Sequence, residues 1–251
     1  MLFTFMVPTK VVFGEGSVST TGEEVKELGL KKVLLVTDQG VAKSGLLEPV
    51  KDSISNVGIG YVVFDNVEPN PTVGLVNDGL AVLKEEKCDG LVAVGGGSSI
   101  NTAKAIAIMA TNPGKISDYA GFDKVRVKPL PIISIPTTSG TGSEVTLFSV
   151  ITDEVTKFKM SIGGKLVCST VAIVDPKMTE TVPPFVTATT GVDALTHAIE
   201  SYLSLLATPY TEALALESIR LVGQSLRQAW ANGSNMEART KMSLASMMAG
   251  M

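Results

Sequence analysis

Short, fully apolar runs alternate with segments of three-to-four-residue periodicity along the first 180 positions. Residues 11–13, 31–37, 60–64, 89–94, 131–135 and 171–174 read as strands. Residues 18–28, 46–55, 72–86 and 101–110 read as helices, with Thr72 as the cap of the third. Runs that are apolar at every position fit strands buried on both faces, the signature of a parallel sheet covered by helices. Right-handed crossovers then wind it into a doubly wound, Rossmann-like α/β unit. Residues 148–151 and 158–162, joined across Asp153-Glu154, predict an appended hairpin. The apolar start, residues 1–6, is expected to lie as an edge strand before Pro8 and Lys10.

The pattern changes at Pro183-Pro184. From there the chain shows helical periodicity only, through residue 204, over 209–230 and from 236 onward. The expected organisation is an α/β domain over 1–180 and an all-helical domain over 181–251. The last helical pattern runs into Ala249-Gly250-Met251 without a polar tail, which reads as a helical domain cut short.

Composition narrows the function classes. The 251 residues are 45% hydrophobic, enough for a sizeable core, and the net charge of −4 with no basic stripe argues against nucleic acid. No run of about 18 apolar residues predicts a membrane span. No basic leader is present, and Cys88 and Cys168 form no motif, so a reducing cytoplasm is the expected compartment.

Candidate chemistry sits where strands end. Gly95-Gly96-Gly97-Ser98 lies between a strand and a helix start, where glycines admit close backbone approach and a helix N-terminus attracts phosphate. It matches neither G-x-G-x-x-G nor a Walker loop, and a glycine run alone can be a tight turn. Asp38 ends a strand, where a carboxylate accepts from ribose hydroxyls and repels a 2′-phosphate, or merely caps a helix. The segment 136–144 is rich in Thr, Ser and Gly directly after a strand, which favours ligand contact over a plain connection. Lys159 suits a phosphate or ribose, or is an ordinary surface lysine. Within the helix expected around 189–202, apolar residues recur at Val192, Leu195, Ala198, Ile199 and Leu203. Asp193 and His197, the only histidine, share one face. A carboxylate and an imidazole one turn apart can hold a divalent ion, although such a pair also arises by chance.

Three motifs together resemble the group III iron-containing alcohol dehydrogenases over the whole chain. They are Gly95-Gly96-Gly97-Ser98, Pro136-Thr137-Thr138-x-Gly140-Thr141-Gly142-Ser143-Glu144 and Gly191-x-Asp193-Ala194-x-x-His197-Ala198-Ile199-Glu200. The resemblance implies NAD held at the α/β domain, a helical domain, and a metal ion between them. It implies that Asp38 faces the adenosine ribose and that Gly96, Gly97 and Ser98 hold the pyrophosphate. Thr137, Thr138 and Thr141 would line the nucleotide, with Lys159 on its ribose side and Asn70 beside it. Asp193 and His197 match the first two metal ligands, for Fe(II) with Zn as the alternative. The implied reaction passes hydride between a short primary alcohol or diol, or its aldehyde, and NAD, with the ion as Lewis acid. A homodimer or larger homo-oligomer joined at sheet edges is likewise implied.

Two features depart from the family pattern. Asn101 stands where the family has Asp, near the nicotinamide end, and replaces an acceptor charge with a neutral amide. The family's two further metal ligands are downstream histidines, and this sequence has no second histidine. Glu200 is a weak candidate for a third donor. The chain alone is therefore expected to turn over alcohols poorly or not at all. The alternatives are a non-catalytic NAD-binding fragment and a polyol enzyme of the glycerol dehydrogenase type.

Overall fold

The computed structural model describes residues 2–251. Its elements run in chain order β1 (Lys10–Phe13), α1 (Thr21–Glu27), β2 (Lys32–Asp38), α2 (Gln39–Lys43), α3 (Glu48–Asn56), β3 (Gly60–Val67) and α4 (Val73–Glu85). They continue as β4 (Gly90–Gly95), α5 (Gly97–Thr111), β5 (Gly121–Phe122), β6 (Ile132–Pro136), β7 (Phe148–Thr152), β8 (Lys159–Gly163) and β9 (Val171–Val174). Three helices follow: α6 (Pro184–Leu203), α7 (Pro209–Ala231) and α8 (Met236–Gly250).

Six strands form one all-parallel sheet in the order β1-β9-β6-β4-β2-β3. Alternation along each strand explains why both faces are covered. Leu34 and Val36 of β2, with Leu91 and Ala93 of β4, pack against Val76, Ile100, Ala103 and Ile106 of α4 and α5. Their neighbours Val33, Leu35, Val92 and Val94 pack against Val25, Val50 and Ile54 of α1 and α3 on the other side. A run with no polar position is what two cores require of one strand. The chain winds outward from β2 to β3, then returns to β4 and proceeds through β6. Strand order therefore reverses between β2 and β4, and a crevice opens at their carboxyl ends.

The expected hairpin is present as antiparallel β7 and β8, and the two-residue β5 adds to it in a separate three-stranded sheet. Thr72 caps α4 by accepting from the Leu75 amide at 3.2 Å.

Two expectations need correction. Residues 2–6 form no strand; Met1 lies outside the described residues. The Phe5 ring stacks on Tyr210 of α7 at 5.3 Å, so aromatic packing replaces sheet pairing there. Helix α5 begins at Gly97, four residues earlier than the periodicity placed it, because Ser98 and Ser99 continue the first turn. The apolar stripe of α6 is buried only in part: Ala198 is inside and Leu195 packs against the helical core, but the larger residues are not. Val192, Ile199 and Leu203 are 52%, 41% and 72% exposed, while Gly191, Ala194 and Ala198 are buried. Small residues win the interior because α7 comes close: a Cβ on Gly191 would sit 2.2 Å from Leu226 Cδ1.

No helix among the described residues is long and apolar enough to cross a membrane.

Candidate active site

The crevice opens into a cavity of about 880 Å³, within the range of small-molecule sites. Its walls come from strand ends, the hairpin, and the entry to α6. Asp38, at the end of β2, accepts from the Gly40 and Val41 amides through Oδ1, at 2.9 and 3.0 Å. It is therefore a helix cap, as the plainer alternative had it, yet it also lines the cavity, and Oδ2 has no donor among the described residues. Asn70 reaches the wall from a left-handed turn with φ 57°.

Gly96, Gly97 and Ser98 form the floor. Gly96 is the N-cap of α5 and offers no side chain, so the first-turn amides of a 15-residue helix face the cavity without a side-chain cap. Four orphan amides and the positive end of the helix make an anion cradle. Gly97 keeps that cradle open: a Cβ there would lie 2.8 Å from Thr141 Cγ2. Thr137, Thr138 and Thr141 face it from the loop after β6, and Lys159 of β8 closes one side. All nine residues expected around a nucleotide thus line one cavity, and Asn101 joins them one turn along α5. The Asn101 Oδ1 accepts from Ser143 Oγ at 3.5 Å.

The 136–144 loop has two faces. Its threonines look into the cavity, while the rest packs away from it. Gly140 abuts Thr190 of α6, Gly142 abuts Gly250 of α8, and Ser139 pairs with Ser243 of α8 at 3.2 Å. Ser143 and Glu144 are buried. Burial raises the Glu144 carboxyl to about 7, tempered by a backbone hydrogen bond and then by Lys104, and lowers the Lys104 ammonium to about 8, tempered by Cys168 and then by Glu144.

Sequence patterns gave no sign of the opposite wall. Thr181, Val182 and Pro183 of the connector, with Val186 and Thr190 of α6, line the cavity, as do Val150 and Thr152 of β7. Arg239 of α8 holds that connector, donating to the carbonyls of Glu180 and Val182 and to Thr187 Oγ1.

Asp193 and His197 lie on the α6 face that Val186 and Thr190 begin, since 186, 190, 193 and 197 follow the four-three-four spacing of one helical stripe. The structure places the pair just beyond the cavity wall, His197 Nε2 3.6 Å from Asp193 Oδ1, both side chains a little under half exposed. Two donors on one tetrahedral ion stand about 3.4 Å apart, so their chemistry and spacing fit two corners of a metal site. No third His, Cys, Asp or Glu among the described residues joins them, Glu200 included.

A family profile for iron-containing alcohol dehydrogenase matches residues 8–176, and one for the C-terminal part of the Fe-containing family matches 187–251. The chain belongs to the iron-containing alcohol dehydrogenase family. It is similar to a choline dehydrogenase of Bacillus subtilis, 49% identical over 99% of this chain and 62% of the relative. An NAD-dependent methanol dehydrogenase of Bacillus methanolicus is 44% identical over 98% of this chain and 65% of its own length. The crystal structure of a 1,3-propanediol oxidoreductase superposes with a TM-score of 0.97 at 44% identity, covering 100% of this chain and 65% of that one. The chain thus spans somewhat under two thirds of the length of these dehydrogenases, and over that span it has the family fold.

Proposed function

We propose that this chain is the nucleotide-binding part, with half of the metal-ligand set, of an NAD-dependent oxidoreductase acting on short primary alcohols or diols and their aldehydes. The observation that carries the proposal is the convergence of Asp38, the uncapped α5 N-terminus, the threonine loop and Lys159 on one cavity. In it, the Gly96–Ser98 amides would hold a pyrophosphate, and Asp38 Oδ2 would accept from ribose hydroxyls while repelling a 2′-phosphate. Asn101, a turn deeper, would offer an amide donor beside the nicotinamide.

Asp193 and His197 would hold Fe(II), or Zn, on the α6 stripe adjoining the cavity. When bound, the ion supplies Lewis-acid polarisation of the substrate oxygen and the nicotinamide accepts or gives the hydride. The connector and α6 wall would exclude water from that junction. With two donors rather than four, this chain would hold the ion weakly, and we place its turnover well below that of the longer relatives. The likeness to a choline dehydrogenase leaves the alcohol open, while the −4 charge and absence of a basic stripe speak against a nucleic-acid partner. Edge strand β1, paired only on the β9 side, is the surface through which two copies would associate.

Calorimetry with NAD, metal analysis after Fe(II) or Zn loading, and a steady-state assay with a short primary alcohol test the reading together. Expected are NAD binding, sub-stoichiometric metal reduced further by His197→Ala, and little turnover. Absence of NAD binding would overturn the nucleotide assignment. Robust turnover abolished by His197→Ala would overturn the view that two donors are insufficient. NAD binding with no metal uptake at all would favour the non-catalytic nucleotide-binding alternative.

A further inference from the structure

Lys104 is the largest fully buried side chain among the described residues. It lies outside the cavity and one turn from Asn101 on α5. Its ammonium donates to the main-chain carbonyls of Thr146 at 2.8 Å and Phe148 at 2.9 Å, and no carboxylate among the described residues lies within ion-pair distance. A charge taken out of water without a paired partner is costly, so its retention asks for a reason.

The two carbonyls mark a junction. Before them runs the loop that carries Thr137, Thr138 and Thr141; at the second of them begins β7, which carries Val150 and Thr152 and pairs through Thr152 with Lys159 of β8. A second tie lies beside the first, where Ser149 Oγ donates to the Asn101 carbonyl at 2.8 Å. Three of the cavity's walls, the α5 floor, the threonine loop and the hairpin, therefore meet at Lys104. Buried main-chain carbonyls need donors, and an ammonium with three of them can serve both at once.

We propose that Lys104 is a positioning residue for the nucleotide, pinning the threonine loop and the β7–β8 hairpin to α5 so that Lys159 and the Gly96–Ser98 amides address one ligand. The inference rests on the NAD reading above.

The test is NAD calorimetry on the 251-residue chain, with unfolding temperature measured in parallel. Lys104→Met keeps the volume and removes the donors; it should weaken NAD roughly tenfold, the equivalent of one lost hydrogen-bonded tie at about 1.4 kcal/mol. Ile54→Val, a core change on the opposite sheet face, serves as control and should lower the unfolding temperature while leaving NAD affinity unchanged. Because Lys104 acts through Lys159, Lys104→Met with Lys159→Ala should bind scarcely more weakly than the worse single variant. Should Lys104→Met fail to fold, Ser149→Ala loosens the same junction and should weaken NAD severalfold. Unchanged affinity in whichever of these variants folds, or full additivity with Lys159→Ala, overturns the inference while leaving the nucleotide reading intact. Failure of the unaltered chain to bind NAD removes the nucleotide reading itself and this inference with it.

Discussion

Replacing Glu144 with Gln removes a titratable group that burial holds far from its ordinary range. The carboxyl is buried and raised from 4.5 to about 7. At about 1.4 kcal/mol per unit, that displacement corresponds to roughly 3 kcal/mol. The sign follows from proton counts. Between pH 4.5 and 7 the folded protein keeps a proton that the unfolded chain has released, so stability is fully present below 4.5 and declines as pH rises through 7. Lys104 works in another window: its ammonium is lowered to about 8, so the folded protein binds fewer protons between 8 and 10.5, and stability recovers there. Urea denaturation at half-unit steps from pH 5 to 7.5, followed by circular dichroism, isolates Glu144 when wild type is subtracted from Glu144→Gln, because the other groups cancel. The variant should gain on wild type by about 2–3 kcal/mol across the window. Parallel curves, within about 0.5 kcal/mol throughout, would refute the claim that burial keeps this carboxyl protonated.

Two further changes probe the back of the threonine loop and the end of β2. Gly142 adopts φ 58°, and a Cβ there would lie 2.8 Å from Gly250 Cα, so Gly142→Ala should lose about 2–4 kcal/mol in urea titrations as loop and α8 separate. Asp38→Ser keeps an acceptor for the Gly40 and Val41 amides, so stability should change by less than about 0.5 kcal/mol. The lost charge should nevertheless raise the NADP-to-NAD affinity ratio on the order of tenfold in paired calorimetric titrations.

Much of the site was legible because its signals are local. A glycine run between a fully apolar strand and a helix already says that backbone amides will be bare at that point, and Asp193 and His197 are bound to share a face once their segment is a helix. Asp38 was legible only as a pair of alternatives, and the structure shows them to be compatible: one carboxylate oxygen caps α2 and the other is left over. Val192, Ile199 and Leu203 show the opposite case. A helical stripe reports that one side differs from the other, but which side is buried depends on the neighbour, and α7 selected Gly191, Ala194 and Ala198 by coming too close for anything larger.

The doubly wound sheet, its helical continuation, the glycine floor and the shared face of Asp193 and His197 were legible in the sequence, since each depends on periodicity or on residues within a few positions of one another. Only the tertiary structure decided that the connector 181–183 forms the opposite wall, that half of the threonine loop serves α8 rather than the cavity, and that Lys104 ends buried on two main-chain carbonyls. Those contacts join segments 40 to more than 100 residues apart. Spacing along a chain cannot encode which distant surfaces meet; packing of the two cores and of α6, α7 and α8 does.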